Sequence, residues 1–137
     1  MSQQQPWWNG AVIYQLIVRS YRDGNGDGIG DLQGLSSRLP YLRWLGVEAI
    51  WLTPIYPSPL DDGGYDITDF KAIHPDLGDL AAFHRFLTAA HAQGLKVVMD
   101  LVMNHTSTLH PWFQRARWAA KGSPEREIYV WSDDPHR

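Results

Sequence analysis

The chain has 137 residues, of which 44% are apolar and 20% are charged, and its formal net charge is −3. These values are typical of one globular domain, and they exclude a disordered chain, a nucleic-acid groove and a basic membrane-binding patch. Cysteine is absent, which excludes disulfides and thiolate sites, and no window approaches the ~20 uninterrupted apolar residues of a membrane span. The N-terminus carries no secretory signal, so we expect a cytoplasmic protein without nucleic-acid or membrane partners.

Three apolar runs predict β-strands, at residues 11–18, 49–53 and 96–102. They are nearly continuous and rich in β-branched side chains, which is typical of parallel strands covered on both faces. Polar and acidic residues follow each run. These following segments are therefore the candidate functional loops.

The segment after the first predicted strand, DGNGDGIGD at 23–31, has the spacing of an oxygen-ligand loop for calcium. Side-chain oxygens alternate along it, and glycine stands at the sixth position, as the turn of such a loop requires. Position twelve is Gly34 instead of the glutamate of an EF-hand, and a strand precedes the loop, so the site belongs to another fold. The predicted ligands are Asp23, Asn25, Asp27, Ile29 and Asp31. The alternative is an acidic, glycine-rich turn without an ion.

Two helical patterns separate the predicted strands. In the first, leucines recur at three- and four-residue spacing before Gly46, and Pro40 is expected to start or kink the main helix; the leucines are Leu35, Leu39, Leu42 and Leu45. In the second, Asp79 is the expected N-cap and Gly94 the expected C-terminal stop. Its buried face is predicted to contain Leu80, Phe83, Leu87 and Ala90.

The order β-α-β-α-β predicts an α/β fold with a parallel sheet, either an open doubly wound sheet or part of a barrel. A (β/α)8 barrel builds its site from loops after several strands, whereas a doubly wound sheet uses one switch point, so three decorated loops favour the barrel. A complete barrel needs eight strands and about 250 residues. We therefore predict the N-terminal part of a TIM barrel over residues 1–103, with its first three strands and two helices, and the truncated start of a subdomain inserted after the third strand over 104–137. The alternative is a short αβ domain with a loose tail.

Five segments resemble the α-amylase superfamily of retaining glycoside hydrolases, in that family's order and at its spacing. They are AVIYQ (11–15), DGNGDGIGD (23–31), GVEAIWLTPIYPSP (46–59), GGYDITDF (63–70) and DLVMNHTSTLHPWF (100–113). The resemblance implies a (β/α)8 barrel that acts on α-glucosidic bonds. Within the superfamily, the chain is similar to the branch whose first loop binds calcium or magnesium, which contains trehalose synthases and oligosaccharide α-glucosidases.

Two details favour the trehalose synthases of that branch. Val18-Arg19-Ser20 stands where glucosidases usually carry Pro-Arg-Ser, and YVWSD at 129–133 follows GSPERE. We therefore expect a maltose α-D-glucosyltransferase that isomerises maltose to trehalose, with an α-glucosidase or oligo-1,6-glucosidase as the alternative. The expected partners are small α-glucosides such as maltose, trehalose and oligosaccharides. A non-catalytic sugar-binding scaffold and a small metal-stabilised αβ module are further alternatives.

The resemblance assigns sugar-binding roles to three residues. Asp66 matches the aspartate that hydrogen-bonds the glucose at the cleavage subsite, Tyr65 matches the ring beneath that sugar, and His105 matches the histidine that donates to one of its hydroxyls. Asp100 is implied to hold its neighbours in place, and Asn104 to have a structural role. From the residues alone, Tyr65 and Asp66 fit a turn tyrosine and a helix cap equally well.

The carboxylates that break the glycosidic bond are not expected in this segment. Retaining cleavage needs a nucleophile and an acid roughly 5 Å apart, and the resemblance puts them on the fourth strand and after the fifth, beyond Arg137. We therefore expect an enzyme as the parent protein and no catalytic residue in these 137 residues, which should be inactive alone.

Overall fold

The computed structural model describes residues 5–134. Three strands form a parallel sheet in chain order, namely β1 (Ile13–Leu16), β2 (Ala49–Leu52) and β3 (Lys96–Met99). The register pairs Leu16 with Leu52, and Leu52 with Met99, so the carboxyl ends of all three strands lie level at one edge. The segments predicted as functional loops all leave the sheet at this edge. The parallel arrangement confirms the prediction.

Each strand is shorter than its apolar run predicts. The first run extends to Val18, but the chain leaves the sheet after Leu16, and buried Val18 begins a helix instead. The third run extends to Val102, whereas β3 ends at Met99. Hydrophobic character therefore overestimates strand length, because apolar residues also occur in the segments that flank the ladder, where Ile17 and Leu101 are exposed.

Helices follow the strands. They are α1 (Val18–Tyr21), α2 (Leu32–Ser37), α3 (Leu39–Trp44), α4 (Leu80–Ala92) and α5 (Pro111–Trp118), with short 3-10 helices at Pro75–Leu77 and Arg126–Ile128. Of these, α2, α3 and α4 pack against the sheet. None of the helices between residues 5 and 134 has the length and apolarity to cross a membrane. The connections β1 to β2 and β2 to β3 are both helical crossovers, as parallel pairing requires.

The hydrophobic core lies between one face of the sheet and helices α2, α3 and α4. Alternate strand residues supply its floor, because successive side chains of a strand point to opposite faces. Each fully buried Leu, Ile or Phe contributes about 1.5–3 kcal/mol. The fully buried contributors from strands and helices include Leu35, Leu39, Leu42, Ile50, Leu52 and Phe86.

The first helical pattern forms two helices instead of one. Helices α2 and α3 meet at Arg38, and Pro40 stands in the first turn of α3, which confirms the expected start or kink at Pro40. The last leucine of the pattern, Leu45, is 47% exposed. Leu45 is the C-cap of α3, and the chain turns there before the periodicity can bring it under the sheet.

Helix α4 has the expected ends but a different buried face. The Asp79 carboxylate accepts the backbone N–H of Ala82 at 2.6 Å, and Gly94 follows the C-cap with φ +73°. Leu80 is 50% exposed, which contradicts its predicted burial, and Phe86 is fully buried instead. At about 100° per residue, Leu80 lies roughly a quarter turn from the centre of the face set by Phe86 and the residues beside it.

Helix α5 and the segment after it form a small aromatic unit. The buried His110 ring caps α5, since its Nδ1 accepts the backbone N–H of Trp112 at 3.0 Å. Burial lowers the pKa of His110, because it disfavours the charged ring. At the other end, the Arg126 guanidinium lies 3.9 Å from the Trp131 ring centroid and donates to the carbonyl of Arg117 at 3.1 Å. Arg126 therefore connects the end of α5 to the following segment.

Candidate functional site

Asp100, the first residue after β3, accepts hydrogen bonds from three aromatic side chains. Its Oδ1 accepts the indole N–H of Trp51 at 2.6 Å, and its Oδ2 accepts the hydroxyl of Tyr65 at 2.8 Å. The backbone carbonyl of Asp100 accepts the hydroxyl of Tyr56 at 3.1 Å. Trp51 belongs to β2, and both tyrosines belong to the loop after β2. Asp100 thus joins the carboxyl ends of two neighbouring strands.

The tyrosines of this cluster stay protonated. The hydrogen bond to Asp100 raises the pKa of Tyr65, with burial and the charges of Asp100 and Asp62 adding to the effect. Burial raises the pKa of Tyr56, and the charge of Asp100 raises it further. Both hydroxyls are therefore neutral donors at physiological pH. Their rings are fixed in orientation by the bonds they donate.

His105 lies against the loop that carries Tyr65. Its Nε2 is 3.2 Å from the backbone carbonyl of Tyr65, and its Nδ1 is 3.4 Å from the Asn104 amide nitrogen. A carbonyl only accepts, so Nε2 carries the proton and Nδ1 accepts from Asn104. The backbone N–H of Ser107 also donates to the carbonyl of Ile67 at 2.9 Å. The loops after β2 and β3 are therefore bonded together, and His105 and Tyr65 share one edge, as predicted.

The carboxylate of Asp66 organises its own loop. Its Oδ1 accepts the hydroxyl of Ser58 at 2.6 Å, and its Oδ2 accepts the backbone N–H of Asp61 at 3.0 Å. Burial alone would raise the pKa of Asp66, but these bonds outweigh it and lower the pKa. The same turn holds Leu60 at φ +69°, a conformation that side chains rarely adopt. The sugar contact assigned to Asp66 stays a prediction.

Asp62 is a carboxylate at this edge that sequence reasoning missed. It is exposed, and within residues 5–134 its side chain has no hydrogen-bond or ion-pair partner. Its charge adds to the rise in the pKa of Tyr65, after the larger effects of Asp100 and of burial. The available signal was the pair Asp61-Asp62 before Gly63-Gly64, a composition typical of an exposed turn.

The loop predicted to bind a metal is shaped by backbone bonds to its first carboxylate. Asp23 accepts the N–H groups of Asn25, Gly26 and Gly28 at 3.1, 2.6 and 2.9 Å. The bonds from Gly26 and Gly28 are the main causes of the lowered pKa of Asp23. Asp27 accepts the N–H of Ile29 at 2.7 Å through one oxygen and the amide of Asn25 at 3.0 Å through the other. The carboxylates of Asp23 and Asp27 are thus held in place by hydrogen bonds within the loop.

The last predicted ligand, Asp31, is buried at the start of α2. One oxygen accepts the N–H of Gly34 at 2.6 Å, and the other accepts the N–H of Gly24 at 3.1 Å. Here the loop and the helix cross at contact distance. A Cβ atom added at Gly34 would lie 1.9 Å from the carbonyl oxygen of Arg22, so only glycine fits.

The donor set of this loop fits a hard cation. Its side chains offer carboxylate and amide oxygens on alternate residues, with the carbonyl of Ile29 between them, and calcium and magnesium both prefer oxygen. In the described part of the chain, no three His, Cys, Asp or Glu side chains form a group able to hold a metal ion. An ion in the loop therefore depends on Asn25 and on the backbone as well as on carboxylates.

The sequence matches the profile of the alpha amylase catalytic domain over residues 15–136. The chain is 50% identical over 133 residues to glucan 1,6-alpha-glucosidase of Streptococcus dysgalactiae subsp. equisimilis, covering 97% of this chain and 25% of that protein. It is 48% identical over 133 residues to trehalose synthase of Pimelobacter sp. strain R48, covering 97% and 23%. It therefore spans about a quarter of the length of these curated relatives.

A solved crystal structure has the same fold as this chain. The crystal structure of the alpha-glucosyl transfer enzyme XgtA superposes with a TM-score of 0.91 at 51% identity, over 96% of this chain and 24% of that one. The parallel sheet, its helices and the cluster at its carboxyl edge are thus one part of a larger barrel. The chain belongs to the alpha-amylase family, and it forms the N-terminal part of that family's (β/α)8 barrel.

Proposed function

We propose that this chain is the N-terminal piece of an α-glucoside-active retaining enzyme, and that its carboxyl edge forms one wall of the sugar pocket. The observation that carries the proposal is the bonding of Tyr65, Asp100 and His105 at a single edge of the sheet. We further propose that residues 1–103 belong to the barrel and that residues 104–137 begin an inserted subdomain; residues 1–4 and 135–137 lie outside the described part.

Each group at this edge has a definite use for a sugar. A tyrosine ring fixed by Asp100 presents a flat apolar face, against which the apolar face of a pyranose packs. His105 holds its proton on Nε2, so exchanging the Tyr65 carbonyl for a sugar hydroxyl keeps the donor satisfied. Asp62 supplies an unpaired carboxylate, and carboxylates accept hydroxyls in strong, charge-assisted bonds. Asp66 shapes the loop from within and retains lone pairs for the sugar contact predicted for it.

Two matched variants of the enzyme that contains this chain test the pocket. Asp62→Asn should weaken binding of maltose or a product analogue about tenfold at an unchanged melting temperature, since its carboxylate bonds nothing in the protein. Asp66→Asn should lower the melting temperature, because it removes bonds that hold the loop. Calorimetric binding and thermal unfolding separate the two effects. Unchanged sugar affinity in both variants would refute the proposal that the sugar binds at this edge of the sheet.

We propose trehalose synthesis from maltose as the reaction of the parent enzyme. The proposal rests on Val18-Arg19-Ser20 and on YVWSD at 129–133. Tyr129 and Trp131 of the second segment pack on Phe113, with ring centroids 5.4 and 5.8 Å apart, so this motif is part of the aromatic unit around α5. Relatives named as glucosidases match as well as relatives named as trehalose synthases, so hydrolysis of α-glucosidic bonds is the second candidate.

The products made from maltose distinguish these activities. A trehalose synthase converts maltose mainly to trehalose, whereas a glucosidase releases glucose, and a scaffold does neither. Chromatography of the products from the full-length enzyme is the test. The 137-residue chain alone should make neither product, because the resemblance assigns the nucleophile and the acid to later strands. Turnover by this chain would contradict that assignment. We also propose that the parent enzyme is cytoplasmic, which cell fractionation tests.

We also propose that the loop at 23–31 holds a structural calcium or magnesium ion. Asp27→Ala should lower the melting temperature and abolish its response to a chelator, because binding to the native state stabilises it by mass action. Asp69→Ala is the matched control: Asp69 is also exposed and also accepts a backbone N–H two residues on, at 2.8 Å from Lys71. If the chelator leaves the melting temperature of the unaltered chain unchanged, the loop does not hold a structural ion.

A further inference from the structure

A small basic pocket lies beside α1 and α3, and none of its residues belongs to the Asp100 cluster. Its volume is about 320 Å³, and its walls are Tyr21, Arg22, Arg38 and Tyr41. Tyr21 ends α1, Arg38 stands between α2 and α3, and Tyr41 lies on α3. Across residues 5–134, neither guanidinium has an ion-pair or side-chain hydrogen-bond partner, and no acidic residue lines the pocket.

The backbone that carries the two arginines is well fixed. The carbonyl of Arg22 accepts the N–H of Asp31 at 3.0 Å and touches Gly34, which leaves no room for a side chain there. Arg38 donates its N–H to Leu35 at 3.0 Å, and its carbonyl accepts the N–H of Leu42 at 3.0 Å. The two side chains therefore extend from rigid positions, so gathering them around a ligand costs only side-chain entropy.

The pocket offers donors and no carboxylate. Arg22 and Arg38 each carry a guanidinium, which is a planar fork of N–H donors, and Tyr21 and Tyr41 add a hydroxyl each to the set of lining residues. Burial raises the pKa of Tyr21, so its hydroxyl keeps the proton that it would donate. Guanidinium forks match phosphate oxygens in bidentate geometry. We propose that the pocket formed by Tyr21, Arg22, Arg38 and Tyr41 binds a phosphate group, as free phosphate or as a phosphate monoester.

Nuclear magnetic resonance of the purified enzyme that contains this chain tests this without any substitution. Inorganic phosphate is titrated at constant ionic strength while the arginine Nε–Hε signals are followed. The signals of Arg22 and Arg38 should move together and saturate, whereas Arg43, an exposed arginine of α3 outside the pocket, should not follow them. Parallel, unsaturated movement of all arginines would show mere screening and overturn the proposal.

Variants and a second ligand complete the test. Arg38→Gln should weaken phosphate binding roughly fivefold, as expected for one exposed charged contact, and the matched variant Arg43→Gln should leave it unchanged. Equal weakening by both variants would overturn the site. Glucose 6-phosphate serves as the monoester: binding of both ligands identifies the phosphate group alone as the determinant, and binding of the ester only identifies a phosphorylated compound. Binding of neither overturns the proposal.

Discussion

The bond between Tyr65 and Asp100 can be measured directly with a double-mutant cycle. A hydrogen bond to a charged group contributes about 1.5–3 kcal/mol, and both side chains are half-buried, which favours the lower end. Tyr65→Phe should therefore cost about 1.5 kcal/mol. Asp100→Asn should cost about 1–2 kcal/mol, because its amide oxygen can still accept the Trp51 indole N–H and its amide nitrogen can donate to the Tyr65 oxygen, so two bonds to a charged group become bonds to a neutral one.

The assay is urea unfolding of the unaltered chain, the two single variants and the double variant, followed by tryptophan fluorescence. We expect a coupling energy of about 1 kcal/mol between Tyr65 and Asp100. Tyr56→Phe is the matched control, since its hydroxyl donates to the backbone carbonyl of Asp100, which Asp100→Asn leaves in place. Coupling at Tyr65 below about 0.3 kcal/mol, or equal coupling at Tyr56, would refute the proposed geometry.

The same bond has a signature in pH. Asp100 raises the folded-state pKa of Tyr65 above its ordinary value near 10. The bond therefore contributes its full stability below pH 10, and this contribution is lost as the pH rises through the folded-state pKa. In Asp100→Asn, the pKa of Tyr65 should fall toward 10, which ultraviolet absorbance of the tyrosinate detects. An unchanged titration would show that the carboxylate does not hold the proton in place.

Three further predictions follow from the packing and the caps. Gly34→Ala should lower the free energy of unfolding by about 3 kcal/mol or more, because the added Cβ would lie 1.9 Å from a fixed backbone oxygen. Gly46→Ala, which has open space but φ +87°, should lower it by about 1 kcal/mol. Equal melting temperatures of the two variants would contradict this prediction. Because burial lowers the pKa of His110, stability should fall as the pH drops from the unfolded-state pKa of about 6.5 toward the folded-state pKa. His110→Asn keeps a helix cap but does not titrate, so melting temperatures measured across this pH range should vary less in the variant. Arg126→Lys should lower the melting temperature by roughly 4–8 °C, since an ammonium cannot both cover Trp131 and bond the end of α5; an unchanged melting curve would show that charge alone suffices.

The strand order and the helix caps were predictable from the sequence because local signals decide them. Asp79 and Gly94 mark α4 by their own chemistry, and continuous apolar runs predict the parallel sheet. The buried faces were less predictable. Leu45 and Leu80 fit a helical period, but their burial depends on where the helix ends and which side meets the sheet, and neither property is local.

The edge of the sheet that carries the candidate site was predictable from the sequence, but the roles of the individual carboxylates at this edge were not. The spacing GGYD and DLVMNH places Tyr65, Asp66 and His105 at the ends of neighbouring strands, as observed. Whether a carboxylate serves a ligand or its own loop depends on the N–H and O–H groups that surround it in space. Asp66 has such partners and Asp62 has none among the described residues, a contrast that adjacent letters cannot reveal.

The close crossing of Gly24 and Gly34 makes the acidic loop and helix α2 a single cooperative unit. Helix α2 has six residues, far fewer than the ~12–15 that an isolated helix needs in water. The helix is therefore stabilised by the hydrogen bonds of Asp31 and by the backbone against which it packs. Amide hydrogen exchange across residues 23–37 should then report one shared opening event, so a molecule that tightens the loop also slows exchange in turns of the helix that it never touches.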